Sequence, residues 1–248
     1  MSERIFGIHP VLEALRAGRR GVQRVVMSSG RRDRRLEEIE AKARAAGVPV
    51  QRQPPAALDR LAGGRGHQGV VAQVAETTYW DPEEILGRAG RRPLFMVLDG
   101  VEDPRNLGAV IRAAAAAGAD GLFLPSHGAA GLTAACAKAS AGAVERLPIA
   151  RVGNVVSFLK TLKERGIWVA GLDPQGGTPW TGFDLTLPVA LVVGGEGRGL
   201  RRLARETCDV LLSIPLRSEV ESLNLAVAAG VALFEAVRQR SGPEGGAG

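Results

Sequence analysis

The chain has 248 residues, of which 45 % are apolar, with 32 Lys+Arg against 26 Asp+Glu and two cysteines. This length predicts one or two domains with a real hydrophobic core, and the composition excludes a disordered or collagen-like chain. Uncharged apolar runs such as 113–119 are far shorter than the roughly 20 residues of a membrane span, and the first residues do not resemble a signal peptide. Two cysteines are too few for a disulfide framework or a zinc site. We therefore expect a soluble, cytoplasmic protein with no membrane partner.

Positive charge is concentrated in the first third of the chain. Residues 1–75 contain 14 Lys+Arg, 13 of them arginine, against 7 Asp+Glu, whereas residues 76–248 contain 18 against 19. Arginine binds phosphate through a planar fork of donors, and a basic module beside a neutral one is typical of a polyanion-binding domain. A GC-rich genome explains the preference for Arg over Lys but not this asymmetry. The charge distribution therefore predicts that residues 1–75 bind nucleic acid.

Taken in chain order, the first 75 residues read as a small α/β unit. Helical spacing predicts a helix over 9–17 that ends at Gly18, and a highly charged helix over 32–46. The predicted strands of this unit are 24–28, 48–50 and 68–75. Residues 76–92 are polar and contain Pro82, which predicts a linker.

After Pro93 the pattern alternates between strand and helix. The predicted strands are 94–98, 121–124, 168–172, 190–193 and 210–214. Asp103 and Pro104 are start signals for a helix that stops at Gly118, and 223–238 predicts a long final helix. Continuous apolar strands alternating with helices predict an α/β fold with a mostly parallel sheet covered by helices on both faces. The last residues, 241–248, predict a disordered tail.

The first loop that could carry chemistry is 98–112, because ligands of open α/β sheets bind beyond the carboxyl ends of strands. Its two glycines do not make the G-x-G-x-x-G fingerprint, so a dehydrogenase that binds NAD is disfavoured. Asn106 falls in the first helical turn, where free backbone N–H groups favour an anion. Arg105 and Arg112 are seven positions apart on one helical face and could present two cations to a phosphate. The alternative is that Asn106 is a cap and the arginines are solvated.

Two further loops follow predicted strands. In 192–200, four glycines around Glu196 allow a ligand to approach the backbone closely, although a merely flexible turn has the same composition. In 213–224, Ser222 stands at a predicted N-cap and Asn224 lies within the first helical turn. The histidines His9, His67 and His127 form no evident Ser-His-Asp or Cys-His set. For His9 and His67, which lie in the basic module, a hydrogen-bonded loop histidine is the favoured interpretation.

These three loops, in this order, resemble the motifs of the SpoU (TrmH-type) branch of the SPOUT RNA methyltransferases. N-L-G-A-x-x-R corresponds to 106–112, G-x-E-G-x-G to 194–199, and I-P followed by S-L-N to 214–224. The resemblance covers about residues 93–240 and is specific. The stretch KASAGAVERL, 138–147, is also similar to the family.

The amino-terminal part resembles a ribosomal-protein-like substrate-binding domain found on some family members. FGIHPVLEAL (6–15) and GHQGVVA (66–72) carry this similarity. Such a domain occurs on the ribosomal RNA 2′-O-methyltransferases that modify a guanosine in 23S rRNA. The resemblance thus divides the chain into an RNA-binding domain over 1–75, a linker over 76–92 and a methyltransferase domain over 93–240.

The resemblance implies a carboxyl-terminal trefoil knot that binds S-adenosylmethionine, no metal, and a homodimer. The apolar stripe of Val227, Val231 and Phe234 could serve the dimer interface or only the core. The implied reaction is 2′-O-methylation of the ribose of a guanosine in 23S rRNA. The alternatives are the same chemistry on tRNA or on another rRNA nucleotide, and a non-catalytic RNA-binding or ribosome-assembly protein.

The resemblance also implies the site residues. The implied catalytic residues are Asn106, Arg112, Glu196, Ser222 and Asn224, and the backbone groups that would hold the cofactor are at Gly194, Ile214 and Leu223. Arg112 would be the base or would clamp the target phosphate and polarise the 2′-oxygen; a guanidinium is rarely deprotonated, which favours the clamp. Glu196 would fix Arg112 or Asn106. Whether the helix over 31–44 contacts RNA is left open.

Overall fold

The structure is a computed structural model that describes residues 2–30, 33–217 and 222–241. Within these residues the strands are β1 (Ser2–Phe6), β2 (Val22–Ser28), β3 (Val50–Gln53), β4 (Val70–Ala75), β5 (Leu94–Leu98), β6 (Gly121–Pro125), β7 (Ile149–Val152), β8 (Trp168–Leu172), β9 (Thr178–Pro179), β10 (Val189–Val193) and β11 (Val210–Ser213). The α-helices are α1 (Ile8–Ala17), α2 (Arg34–Ala45), α3 (Pro55–Ala62), α4 (Pro82–Arg88), α5 (Pro104–Ala116), α6 (Ala134–Ala139), α7 (Val155–Glu164), α8 (Arg202–Thr207) and α9 (Leu225–Ser241). The chain divides into two compact units, Met1–Thr78 with Gly131–Arg146, and Tyr79–Ala130 with Leu147–Gly248.

The first unit is built on a four-stranded sheet with the order β1-β4-β2-β3. β4 is antiparallel to β1 and β2, and β3 is parallel to β2. The predicted helix over 9–17 is α1, and it ends at Gly18 in the left-handed conformation that glycine adopts without strain. The sequence analysis did not predict β1, because only Ile5 of this edge strand is buried and the strand has no clear alternation.

The charged helix is shorter than predicted, and the strand after it lies further along the chain than predicted. α2 begins after Asp33, whose side chain accepts from the backbone N–H of Arg35 and so caps the helix. At its other end the N–H of Val48 still bonds the carbonyl of Ala43, so the predicted strand over 48–50 begins only at Val50. Residue 32, the first of the predicted helix, lies outside the described residues.

Residues 131–146 belong to the first unit, although the sequence places them within the carboxyl-terminal domain. Arg20 is buried and donates to Glu145 Oε1 at 2.5 Å, and Arg146 pairs with Glu13 on α1. Removing one member of a buried ion pair costs several kcal/mol, so this segment is an integral part of the unit. No local pattern marks such a contact, because the partners are more than a hundred positions apart in sequence.

The second unit contains a seven-stranded sheet with the order β7-β6-β5-β10-β8-β11-β9. Each described neighbouring pair is parallel. Phe95 and Val97 of β5 pack in one core cluster with Phe158 of α7, and Met96, which points to the opposite face, is also fully buried. Both faces of β5 are therefore covered, and the predicted α/β fold with a mostly parallel sheet is confirmed.

The segment predicted as a linker is partly helical. Asp81 caps α4 by accepting from the N–H of Glu83 at 2.8 Å, and Ile85 is 2 % exposed within the core of the second unit. At the other end of the chain, Ser241 belongs to α9, and the rest of the predicted tail, 242–248, lies outside the described residues.

One crossing of the chain stands out in the second unit. β11 lies between β8 and β9, although only residues 173–177 join β8 to β9. This short connection must therefore pass across β11. A Cβ on Gly176 would lie 2.6 Å from the carbonyl oxygen of Leu211, so the crossing leaves no room for a side chain.

Candidate active site

Three polar side chains from three separate loops meet beyond the carboxyl ends of the strands. Asn106 in the first turn of α5 donates through Nδ2 to Glu196 Oε1 at 2.8 Å. Asn106 Oδ1 in turn accepts from Asn224 Nδ2 at 3.1 Å. Each of the three sequence motifs thus contributes one side chain to a continuous hydrogen-bonded chain.

The direction of this chain is fixed at both ends. An ionised carboxylate such as Glu196 only accepts, so Asn106 must turn its amide nitrogen toward it. The start of α9 only donates, and Asn224 Oδ1 accepts from the N–H groups of Ala226 at 2.9 Å and Val227 at 3.4 Å. Both asparagines therefore have one possible orientation.

Glu196 is held as a carboxylate. Partial burial acts to raise the pKa of Glu196, but hydrogen bonds from Asn106 and from nearby backbone N–H groups outweigh it, so the pKa lies below its usual value. Its second oxygen, Oε2, accepts from the N–H of Glu102 at 3.2 Å. With both oxygens in use and the pKa lowered, Glu196 orients Asn106 and is a poor proton acceptor.

The glycine-rich loop around Glu196 depends on the absence of side chains. A Cβ on Gly194 would lie 1.9 Å from the carbonyl carbon of Gly199, a distance that no real Cβ shows. Gly197 and Gly199 have φ of +74° and +64°, which disfavours other residues. These constraints favour a turn with one defined backbone conformation over a merely flexible turn.

A cavity of about 1000 Å³ opens beside this loop. The predicted cofactor residues Gly194, Ile214 and Leu223 all line it, and so do the predicted catalytic residues Glu196, Ser222 and Asn224. Leucine side chains and glycine backbone form much of its wall, which suits a ligand with an apolar base and a polar tail lying against main chain. The lining residues therefore fit a nucleoside cofactor such as S-adenosylmethionine.

Two predicted residues are placed differently from the others. Ser222 lines the cavity but does not cap α9, because Asn224 takes that position. The cap is Asn224 because the helix begins two residues later than predicted, at Leu225. Arg112 is exposed on α5, six residues beyond Asn106, which places the two side chains on different sides of the helix. Glu196 contacts Asn106 and thereby decides between the two predicted partners of this carboxylate.

Asp99 is a site residue that the sequence analysis missed. It follows β5, its side chain is 1 % exposed, and it accepts from the backbone N–H of Arg201 at 2.8 Å and from the Arg201 guanidinium. This contact fixes the end of the glycine-rich loop to the end of β5. The signal in the sequence was an acid directly after a buried strand, but its partner is 102 positions away.

His67 is held by structural hydrogen bonds. His67 is buried in the first unit, where Nδ1 accepts from the N–H of Gly69 at 3.0 Å and Nε2 lies 3.2 Å from Asp59 Oδ1. The interpretation of His67 as a hydrogen-bonded loop histidine is therefore confirmed. Within the described ranges, no group of three or more His, Cys, Asp or Glu could hold a metal ion.

Comparison with known proteins identifies the family. Residues 93–234 match the model of the SpoU rRNA methylase family, and residues 4–80 match the model for RNA 2′-O ribose methyltransferase substrate binding. The chain belongs to the SpoU rRNA methylase family. As a SpoU methylase it is an RNA 2′-O-methyltransferase with S-adenosylmethionine as its cofactor.

Relatives of this SpoU methylase align over nearly its whole length. It is 45 % identical over 240 residues to the 23S rRNA (guanosine-2′-O-)-methyltransferase RlmB of Xylella fastidiosa (strain 9a5c), covering 96 % of both chains. It is 42 % identical to an uncharacterized tRNA/rRNA methyltransferase of Mycobacterium ulcerans, covering 96 % of this chain and 78 % of that protein.

A solved structure supports the same assignment. The SpoU methyltransferase AviRb from Streptomyces viridochromogenes, in complex with S-adenosylmethionine, superposes with a TM-score of 0.80 at 30 % identity. The match covers 96 % of this chain and 90 % of AviRb.

None of the helices in the described ranges is long and apolar enough to cross a membrane.

Proposed function

We propose that this SpoU methylase transfers a methyl group from S-adenosylmethionine to the ribose 2′-oxygen of a guanosine in 23S rRNA, in the cytoplasm. The observation that carries the choice of substrate is the 45 % identity, along 96 % of both chains, to a relative named for that reaction. The excess of Lys+Arg in residues 1–75 is independent support for docking on a polyanion.

The amino-terminal domain supplies fewer free cations than its composition suggests. Arg20 is buried in ion pairs, and Arg16 and Arg52 pair with carboxylates of the same unit. Arg60 and Arg65 are exposed. We expect such exposed arginines, rather than all 14 cations, to dock the RNA.

The large cavity holds the cofactor through the backbone groups of Gly194, Ile214 and Leu223. S-adenosylmethionine supplies an electrophilic methyl on its sulfonium, so the protein has to position the nucleophile and release its proton. Asn106 and Asn224 orient the ribose and its phosphate, and Ser222 assists at the cavity wall. Fixed donors of this kind stabilise charge that develops on the attacking oxygen without reorganising at the moment of reaction.

Arg112 clamps the target phosphate and polarises the 2′-oxygen in this proposal. Its guanidinium is a planar fork of donors suited to a phosphate. Glu196 already accepts at both oxygens, so the 2′-hydroxyl proton leaves to water.

The knot and the homodimer are also part of the proposal. The passage of residues 173–177 across β11 supports a threaded chain at the cofactor cavity. Val227 and Phe234 on α9 are 51 % and 50 % exposed, which supports the use of this apolar stripe in a dimer interface rather than in the core alone.

The experiment that tests the function is methyl transfer from labelled S-adenosylmethionine to unmodified 23S rRNA and, in parallel, to unmodified bulk tRNA. Label in 23S rRNA alone, on a guanosine 2′-oxygen, is the expected result. Label in tRNA alone would support the proposed methyl transfer but contradict 23S rRNA as the substrate. Cofactor binding without transfer to either RNA would favour the assembly-protein alternative.

A further inference from the structure

A second cavity, of about 370 Å³, lies in the same unit as the cofactor cavity. It is formed by the residues that follow β5, β6 and β7 and by the first residues of α7 and α8. It therefore opens at the carboxyl edge of the sheet, where ligands of parallel sheets bind. Neither the mechanism nor the sequence motifs use it.

The two cavities are adjacent along the chain. Leu200 lines the cofactor cavity and Arg201 lines the second one, and on α8 Ala204 lines the second cavity whereas Arg205 lines the first. The end of the glycine-rich loop and the start of α8 are thus the wall between them. A polymer whose target ribose enters the cofactor cavity has its neighbouring residues within reach of this wall.

The charges at the second cavity suit a phosphate. Asp99 fixes Arg201 in place: Arg201 Nε donates to Asp99 Oδ1 at 2.9 Å, and Arg201 Nη2 donates to the backbone carbonyl of Asp99 at 2.9 Å. The arginine side chain nevertheless remains 61 % exposed. Asp99 is neutralised by this pair. Arg202, whose side chain is 75 % exposed, then adds positive charge, and His127 lines the same space.

Glu206, the anion that pairs with Arg202, is weakly held. Arg202 pairs with Glu206 one turn further along α8, but both side chains are more than half exposed. Exposed pairs of this kind contribute about 0–1 kcal/mol, so a phosphate can replace the carboxylate.

The remaining wall is apolar and suits a flat base. Leu203 of α8 is 53 % exposed at the cavity, and Val155 and Val156 of α7 also line it. Aliphatic side chains beside cations form the combination that nucleotide sites use for base and phosphate.

We propose that this second cavity binds a nucleotide of the substrate RNA that flanks the target, with its phosphate on Arg201 and Arg202 and its base against Leu203. The inference rests on the proposed function, because it needs an RNA strand at the neighbouring cavity. It assigns to the methyltransferase domain a substrate contact separate from the amino-terminal domain.

Arg202→Ala tests the phosphate contact. We expect a dissociation constant for unmodified 23S rRNA transcript about tenfold higher, with the slope of log K against log salt smaller by about 0.7–1. KM for RNA rises, kcat at saturating RNA stays near the wild-type value, and S-adenosylmethionine binds as before. The matched control is Arg88→Ala, since Arg88 forms a similar exposed pair with Glu84 on α4 and lines neither cavity.

Gly153→Trp tests the cavity without changing charge. Gly153 lines the cavity, and no atom lies within 4 Å of its Cβ position, so a side chain there enters open space. We expect the same loss of RNA affinity as in Arg202→Ala. The slope of log K against log salt and the thermal unfolding temperature should stay at their wild-type values. This variant separates a specific pocket from a general basic surface.

The outcomes are distinguishable from failure of the proposed function. If the wild-type protein methylates 23S rRNA while Arg202→Ala and Gly153→Trp bind it as tightly as wild type, the second cavity is not an RNA site. Equal losses in Arg88→Ala and Arg202→Ala would also overturn the inference, since only general charge would then matter. Failure of the function itself appears in the wild type, as the absence of label in 23S rRNA.

Discussion

At the residue scale, the hydrogen bonds of Glu196 make it a poor proton acceptor. It accepts from Asn106 and from the N–H of Glu102, and these contacts lower its pKa. A carboxyl whose pKa is lowered stays ionised as the pH falls to its usual titration range and below. We therefore expect no loss of kcat from Glu196 protonation between neutral pH and roughly pH 5.

Glu196→Gln removes the charge and keeps the shape. A charge-assisted hydrogen bond is worth about 1.5–3 kcal/mol, so we expect kcat to fall roughly 10–100-fold while the affinity for S-adenosylmethionine changes little. Single-turnover methyl transfer and calorimetric cofactor binding measure the two effects. Glu84→Gln, on an exposed side chain of α4, is the control. Full activity of Glu196→Gln would show that Asn106 needs no anchor.

Arg112→Lys separates the clamp from the base. If Arg112 holds phosphate through its fork, lysine loses the bidentate geometry, and we expect kcat to fall at least tenfold with the shape of the pH–rate profile unchanged. If Arg112 is the base, lysine gives up its proton at lower pH, and the acid limb of the profile moves to lower pH with activity retained. The pH–rate profiles of the wild type and Arg112→Lys, measured on the same RNA preparation, decide between the clamp and the base.

Gly194→Ala tests the fit of the glycine-rich loop. Its Cβ would collide with the backbone of Gly199, so the turn must open and the cofactor cavity must change shape. We expect the dissociation constant for S-adenosylmethionine to rise more than tenfold and the thermal unfolding temperature to fall. Gly195→Ala is the stability control, because its Cβ would lie at an ordinary 3.6 Å from Gly100. Tight cofactor binding by Gly194→Ala would contradict the assignment of this loop.

At the scale of elements, the residue that caps α9 also belongs to the hydrogen-bonded chain between the three loops. Asn224 Oδ1 caps α9, and Asn224 Nδ2 holds Asn106. Because these two contacts use different atoms of Asn224, a substitution can remove one contact and keep the other. The same helix packs against α5, which carries Asn106, so the cap also sets the distance between two motifs.

Asn224→Asp keeps the cap and removes the donor. Aspartate caps helices as well as asparagine does and places a negative charge at the helix start, so thermal stability should be equal or higher. Its carboxylate would face Asn106 Oδ1 without a proton between them, and we expect kcat to fall more than tenfold. Asn224→Ala should lose activity and about 1 kcal/mol of unfolding free energy together. An active Asn224→Asp would remove Asn224 from the mechanism.

At the scale of the whole molecule, the exposed stripe on α9 predicts association. Phe234→Glu places a charge where the proposed dimer buries an apolar surface, and the cost of burying an unpaired charge should dissociate it. Sedimentation equilibrium should give two chains for the wild type and one for Phe234→Glu. Leu203→Glu, at an equally exposed leucine elsewhere, should remain a dimer. A wild-type monomer at micromolar concentration would overturn the proposal.

Elements with strong local signals were predicted well from sequence. The buried strand over 94–98 is β5, and the start signals Asp103 and Pro104 begin α5 as expected. Burial makes such strands continuously apolar, and capping makes helix starts chemically distinct, so both can be seen within a few residues. Weaker signals were missed: β1 is an edge strand, and α4 is a short helix in a polar segment.

The sequence by itself determined the family, through three motifs whose residue types the chemistry and the backbone require at fixed spacing, and it determined the uneven charge and the α/β alternation. Only the tertiary structure decided which of these residues meet. It joined Glu196 to Asn106 rather than to Arg112, made Asn224 and not Ser222 the cap of α9, and bound Glu145 to Arg20. The physical reason is that propensity, capping and periodicity act over a few neighbouring residues, whereas ion pairs and hydrogen bonds across 90 or 125 positions depend on how the whole chain packs.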